Sequence, residues 1–155
     1  MPQIALKVGD QAPHFTLQNQ RGEDVSLGYL KGKKILLSWH PLAFTPVCEL
    51  QMRALEIKSA TFGELNTAAL GMSVDTVPAK KAWAKAMGVE KTDLLADFWP
   101  HGGVAKQYGL FIEDKGISGR ANVLIDEEGK IEWIKVYEIP ELPDIEAVIR
   151  HLKGS

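Results

Sequence analysis

Lys33-Lys34-Ile35-Leu36-Leu37-Ser38-Trp39-His40-Pro41-Leu42-Ala43-Phe44-Thr45-Pro46-Val47-Cys48-Glu49-Leu50 is the stretch whose reading decides the fold. Ile35 to Trp39 is an apolar run suited to a strand covered on both faces. Pro41 fixes its own φ and pushes His40 into extended geometry, so the strand must end there. Pro46 has no backbone N–H and suits the first turn of a helix, where that donor is spare. From Cys48 to Phe62, the residues Leu50, Ala54, Leu55, Ile57 and Lys58 separate into two helical faces, with Gly63 as the expected stop.

Working outward, Ala12 to Leu17 and Glu23 to Leu27 read as short strands around the turn Asn19-Gln20-Arg21-Gly22. Downstream, Ala68 to Val74 is a strand ending at Asp75. Pro78 opens a helix through Met87, stopped by Gly88. Lys80, Lys81 and Lys85 are expected on its solvated face. Leu94 to Asp97 is a short strand, and Gly103 to Tyr108 is one or two helical turns. Ala121 to Ile125 and Ile131 to Val136 alternate around Asp126-Glu127-Glu128-Gly129, a hairpin signal. Leu142 to Leu152 is a final amphipathic helix. The order predicts an α/β protein whose central mixed sheet is flanked by helices, with an N-terminal β-hairpin, over a single domain spanning residues 1–155.

Composition narrows the function classes. Apolar residues make up 45% and charged residues 25% of the 155, with a net charge of −2. That is ordinary for a soluble globular chain. With no basic block, nucleic acid is not an expected partner. The apolar runs are far short of a membrane span. Met1 to Lys7 lacks the regions of a signal peptide. Cys48 is the only cysteine, which excludes an intrachain disulfide, Cys-x-x-Cys chemistry and a Cys-rich zinc site. A reduced thiol suits the cytoplasm. His14, His101 and His151 show no metal-ligand spacing. Trp83, Trp99 and Trp133 read as packing or interface residues, and Trp39 as a fluorophore near Cys48.

A lone cysteine is usually a small buried hydrophobe. Cys48, however, sits where a strand stops and a helix begins, and first-turn N–H groups favour a thiolate. Spacing alone leaves filler and nucleophile equally open. A Cys48/His40 dyad is a further arrangement, although nothing else suggests acyl transfer. His40 itself reads as a loop histidine satisfied locally.

Pro41, Thr45 and Cys48 form the pattern Pro-x-x-x-Thr-x-x-Cys, which resembles the peroxiredoxin signature. Asp97-Phe98-Trp99-Pro100-His101-Gly102, Tyr108-Gly109 and Gly116-Ile117-Ser118-Gly119-Arg120 resemble the one-cysteine, alkyl hydroperoxide reductase E type. The likeness runs over nearly the whole chain and implies a thioredoxin-like fold. It also implies a thiol-dependent peroxidase acting on hydrogen peroxide and organic hydroperoxides. On that resemblance Cys48 is the peroxidatic thiolate, and Thr45 hydrogen-bonds the sulfur and the incoming peroxide. Pro41 shields the site from water, while Arg120 stabilises the thiolate and polarises the O–O bond. No metal, flavin, haem or other cofactor is implied. With no second cysteine, the sulfenic acid needs an external reductant: a low-molecular-weight thiol or a thioredoxin- or glutaredoxin-like protein. The resemblance further implies a homodimer, with Phe44 and Trp99 near the contact. A peroxide-sensing or redox-relay protein with little turnover is the alternative.

Arithmetic indicates where the rate must come from. A free thiol of pKa ~8.5 is only about 3% ionised at pH 7. Bringing a thiol to ~6 gains roughly thirtyfold in thiolate, but the accompanying fall in nucleophilicity removes about tenfold. Stabilising the departing oxygen and aligning the reactants must supply the remainder. Two positions depart from the family pattern. Gln51 stands where relatives usually carry Glu, and His40 where many carry an aromatic residue. Glu49 lies beside the sulfur, and Arg53 occupies a place where some relatives hold a resolving cysteine.

Overall fold

The computed structural model describes residues 4–154, so Met1 to Gln3 of the N-terminal reading lie outside the described residues. Strand β3 (Lys34–Trp39) is the axis of the molecule. On one side it pairs in parallel with β4 (Thr67–Ser73); on the other it pairs antiparallel with β8 (Arg120–Ile125). The remaining strands are β1 (Thr16–Gln18), β2 (Asp24–Ser26), β5 (Asp93–Ala96) and β9 (Ile131–Tyr137). They complete a seven-stranded mixed sheet in the order β2-β1-β5-β4-β3-β8-β9. A separate two-stranded ribbon joins β6 (Phe111–Ile112) to β7 (Ile117–Ser118), a feature absent from the sequence reading.

Alternation along β3 divides the interior in two. Ile35, Leu37 and Trp39 face one core with Phe15, Tyr108 and Val123. Leu36 faces the other, with Cys48, Met52, Leu55, Phe62, Trp83, Leu94, Leu124 and Val148. Burying each large apolar side chain contributes about 1.5–3 kcal/mol. A Cβ at Gly71 on β4 would lie 2.4 Å from Met52 Sδ and 2.9 Å from Leu94 Cδ2. A glycine there lets helix and strand approach.

The long helix differs from the sequence expectation. Helix α1 covers Pro46–Ile57 and α2 covers Ser59–Glu64, with a break at Lys58. Gly63 lies inside α2, and the left-handed residue beyond its end is Asn66, at φ 52. Asparagine is among the few residues that tolerate that conformation. The far end of α1 is fixed by Glu56. Its carboxylate accepts backbone N–H bonds from Glu90, Lys91 and Thr92 at 2.9–3.1 Å.

Helix α3 (Val77–Met87) ends on Gly88 at φ 74, as expected. Its face assignment is corrected: Lys80 is fully buried, in line with Trp83, Ala84 and Met87. Only Lys81 and Lys85 are solvated. The spacing 80, 83, 84, 87 is itself the inward stripe of a helix. Helix α4 (Gly103–Gln107) is a short turn capped by Asp97, and α5 (Ile145–Leu152) begins at the Asp144 cap rather than at Leu142. No helix among the described residues is long and apolar enough to cross a membrane.

Candidate active site

The β3–α1 loop is shaped by its own side chains. Pro41 is buried at the end of β3. Ala43 N donates to Asp75 Oδ2 at 2.8 Å, and Ser73 Oγ donates to the same oxygen at 2.6 Å. Asp75 thus ties the loop to the end of β4. Phe44 sits at φ 63, a left-handed conformation that costs roughly 1–2 kcal/mol for an L-residue. Its ring lies 6.3 Å from Trp83, which in turn lies 5.4 Å from His40.

Thr45 caps α1 through its backbone, accepting from Glu49 N at 2.9 Å. Pro46 is therefore the first helical residue and Cys48 the third. The amides of Val47 and Cys48 precede the intrahelical ladder and are available to a developing negative charge. The Cys48 side chain is 1% exposed. One expectation needs correcting here: Thr45 Oγ1 donates to Leu42 O at 2.7 Å and does not bond the sulfur. Its donor hydrogen is used within the loop, and its lone pairs remain.

Arg120 reaches the sulfur because of sheet register. Ala121 pairs with Trp39, so the start of β8 lies beside the end of β3. The guanidinium is 2% exposed and donates through Nη1 to Cys48 Sγ at 3.4 Å and to Gln51 Oε1 at 2.7 Å. Its Nε donates to Ile139 O at 2.8 Å. Gln51, one turn below Cys48, donates in turn to Ser38 Oγ at 2.7 Å and to Trp39 O at 3.0 Å. A glutamate at this position could accept from Arg120, but when ionised it could not donate to the Trp39 carbonyl. The departure at Gln51 is thus built into the hydrogen bonding that aims the guanidinium.

His40 is wholly buried. Its Nδ1 lies 3.3 Å from Ser38 O, an acceptor, so Nδ1 carries the hydrogen and Nε2 is free to accept. Lys80 Nζ supplies that bond at 2.9 Å. Burial, together with the neighbouring Lys80 and Arg120 cations, pushes the imidazole well below its usual range. Burial also lowers Lys80 to about 7, against the opposing pull of Asp75 and the Cys48 sulfur. Both His40 nitrogens are occupied away from Cys48, which removes the acyl-transfer dyad.

Arg120 and Cys48 meet at the sulfur, and Pro41 is buried seven residues before Cys48, in the loop that leads to it. Glu49 turns away from the sulfur to pair with Arg53 at 3.2 Å. Trp39 packs against Tyr108 on the opposite face of the sheet; the tryptophan in the Cys48 cluster is Trp83. Asp75, which the sequence marks only as a strand end, and Lys80, expected on a solvated face, both belong to the surroundings of this loop. Among the described residues, no group of three His, Cys, Asp or Glu side chains is placed to hold a metal ion.

A strand end, a proline-bounded loop, a cysteine in the first helical turn and an arginine on the neighbouring strand come together on a thioredoxin-like sheet, the arrangement a thiol-based redox site requires. Residues 8–134 match the model of the AhpC/TSA family, and the chain belongs to that family. It is 39% identical over 140 residues to alkyl hydroperoxide reductase E of Mycobacterium tuberculosis, covering 90% of this chain and 91% of that one. Thiol peroxidase of Bacillus subtilis is 32% identical over 150 residues, covering 96% and 88%. Among solved structures, a reduced 2-Cys peroxiredoxin of Plasmodium vivax superposes with a TM-score of 0.86 at 30% identity, covering 96% and 81%. AhpC of Enterococcus faecalis superposes at 0.87 with 25% identity, covering 95% and 90%. The chain is a peroxiredoxin in sequence and fold, and the activity its relatives define is thiol-dependent peroxide reduction.

Proposed function

We propose that this protein reduces hydrogen peroxide and organic hydroperoxides by a one-cysteine mechanism, with Cys48 as the nucleophile. The observation carrying this reading is the Arg120 Nη1 bridge, 3.4 Å from Sγ and 2.7 Å from Gln51 Oε1. It holds a cation where charge leaves sulfur and arrives on oxygen. The thiolate attacks the distal peroxide oxygen, an S–O bond forms, and the O–O bond breaks toward the leaving oxygen. That oxygen then takes a proton. The amides of Val47 and Cys48 and the lone pairs of Thr45 complete the peroxide cradle, and Pro41 excludes water from it.

The chain's single cysteine supports resolution by an external small thiol or redoxin-type protein. The exposed apolar side chains Leu42, Phe44 and Leu50 around the loop, with Phe98 and Trp99, suit a homodimer contact and organic hydroperoxides. A reduced thiol fits a cytoplasmic setting. The second reading, a peroxide sensor, draws on the burial of Cys48: an oxidised sulfur at 1% exposure reaches a partner only if the first helical turn opens.

Less than one equivalent of hydrogen peroxide should convert Cys48 to sulfenic acid, trapped by dimedone and located by mass spectrometry. A Cys48 that stays unlabelled while a model thiol in the same tube reacts would overturn the proposal. Sustained peroxide consumption with a supplied thiol separates the peroxidase from the sensor, which would show one stoichiometric oxidation.

A further inference from the structure

Lys80 is the residue that peroxide chemistry at Cys48 leaves unexplained. A fully buried lysine ordinarily has a carboxylate partner. Among the described residues, Lys80 instead donates to the neutral His40 at 2.9 Å and lies 5.6 Å from the Trp83 ring centre. The charged and titratable groups facing it come from four elements. They are His40 beyond β3, Asp75 beyond β4, Cys48 on α1, packed in one buried cluster with the Trp83 ring that Lys80 lies over, and Arg120 on β8 acting on His40. Asp75 is the larger counter-charge, with its Oδ2 also accepting from Ala43 N and Ser73 Oγ, and its charge stays fixed as Cys48 reacts. The Cys48 thiolate is therefore the anion in this cluster whose charge changes during the reaction.

We propose that Lys80, held by His40 beneath the active-site loop, is a positioning residue for the Cys48 reaction: a second buried cation that steadies the thiolate and releases its proton when oxidation removes that charge. The inference rests on the peroxidase reading. The electron and proton counts close. Thiolate sulfur is oxidised by two electrons as the S–O bond forms, and the peroxide O–O bond is reduced. The leaving alkoxide or hydroxide gains one proton, and the Lys80 ammonium loses one. Protein and product together then exchange no net proton with the solvent.

Geometry supports this over a packing role. A methionine or leucine would fill the space beside Trp83 without a desolvated amine. His40 has its Nδ1 hydrogen fixed by Ser38 O, which leaves Nε2 as an acceptor for an amine in either protonation state. The bond therefore survives loss of the proton, and the side chain need not move when it discharges. A buried amine is also the cation whose proton affinity responds most to a neighbouring charge.

The test compares resting proteins first. In 13C-lysine-labelled protein, the Lys80 side-chain resonance should titrate about one pH unit higher in reduced wild type than in Cys48→Ser, where no thiolate forms. Equal midpoints, or a Lys80 that titrates like a surface lysine, would overturn the proposal. Single-turnover oxidation followed by Trp83 fluorescence supplies the second readout. The wild-type rate should fall as pH rises through the Lys80 midpoint. Lys80→Met should be about tenfold slower below that midpoint and should lack the falling limb. A Lys80→Met profile parallel to wild type would equally overturn it. Failure of peroxide to oxidise wild-type Cys48 at all would instead defeat the peroxidase reading, leaving the resonance comparison to be judged alone.

Discussion

At the scale of single residues, the candidate site presents to the sulfur an arginine aimed by an amide. Arg120 has three anchors: the sulfur, Gln51 and the Ile139 carbonyl. Replacing it with methionine keeps much of the volume and removes the fork. The second-order rate of Cys48 oxidation should fall by about 10²–10³, the range found for removal of one oriented transition-state donor. Stopped-flow fluorescence in Arg120→Met checks this. Arg120→Lys should recover only part of the loss, since a point charge cannot bridge sulfur and Gln51 together. Much of this was legible in the chain. Pro41, Thr45 and Cys48 announce a turn into a helix, and Arg120 opens a strand. What could not be read was direction. The Thr45 hydroxyl is spent on Leu42 O, and the Gln51 amide works in both directions at once. Such choices are fixed by which carbonyls the loop leaves unpaired, a property of the folded backbone rather than of spacing.

At the scale of elements, the packing of α1 on β4 depends on a strand residue without a side chain. Gly71→Ala should destabilise the protein by about 1–3 kcal/mol, because Met52 and Leu94 must both shift to admit the methyl. Urea unfolding should show a lower midpoint with an unchanged slope. The element order and the central strand followed from pattern because buried strands and proline-bounded helices leave strong local signals. The break at Lys58 did not, since the apolar positions continue across it and the terminating residue is Asn66 rather than the more obvious Gly63. Lys80 is masked for a different reason. The stripe 80, 83, 84, 87 is present in the sequence, but the charge of a lysine points to solvent. A lysine on an apolar stripe marks either an error of register or a buried charge, and here it marks the second.

At the scale of the molecule, a buried amine couples global stability to pH. Lys80 titrates at about 7 in the folded protein and near ~10.4 in the unfolded chain. Between those values the unfolded state binds more protons, so unfolding free energy rises with pH, by at most about 1.4 kcal/mol per unit. Above pH ~10 the sign reverses. Burial holds Tyr108 above its ordinary range, and the unfolded chain releases that proton first. Urea titrations at pH 7 and 9 should show wild type gaining stability and Lys80→Met nearly flat. Equal gains in both would assign the slope to other groups. Burial raises the Glu56 carboxyl, but the backbone donors of Lys91, Glu90 and Thr92 outweigh that and hold it below the usual range. One end of α1 is therefore moored to the segment before β5, while the end carrying Cys48 is closed by a strained loop. On the proposed cycle, an opening of this helix that admits a reductant need involve only its first turn, and little surface is exposed on the way. The second half of the catalytic cycle should consequently be nearly indifferent to mild denaturant, answering to how one turn frays and not to how firmly the protein as a whole is folded.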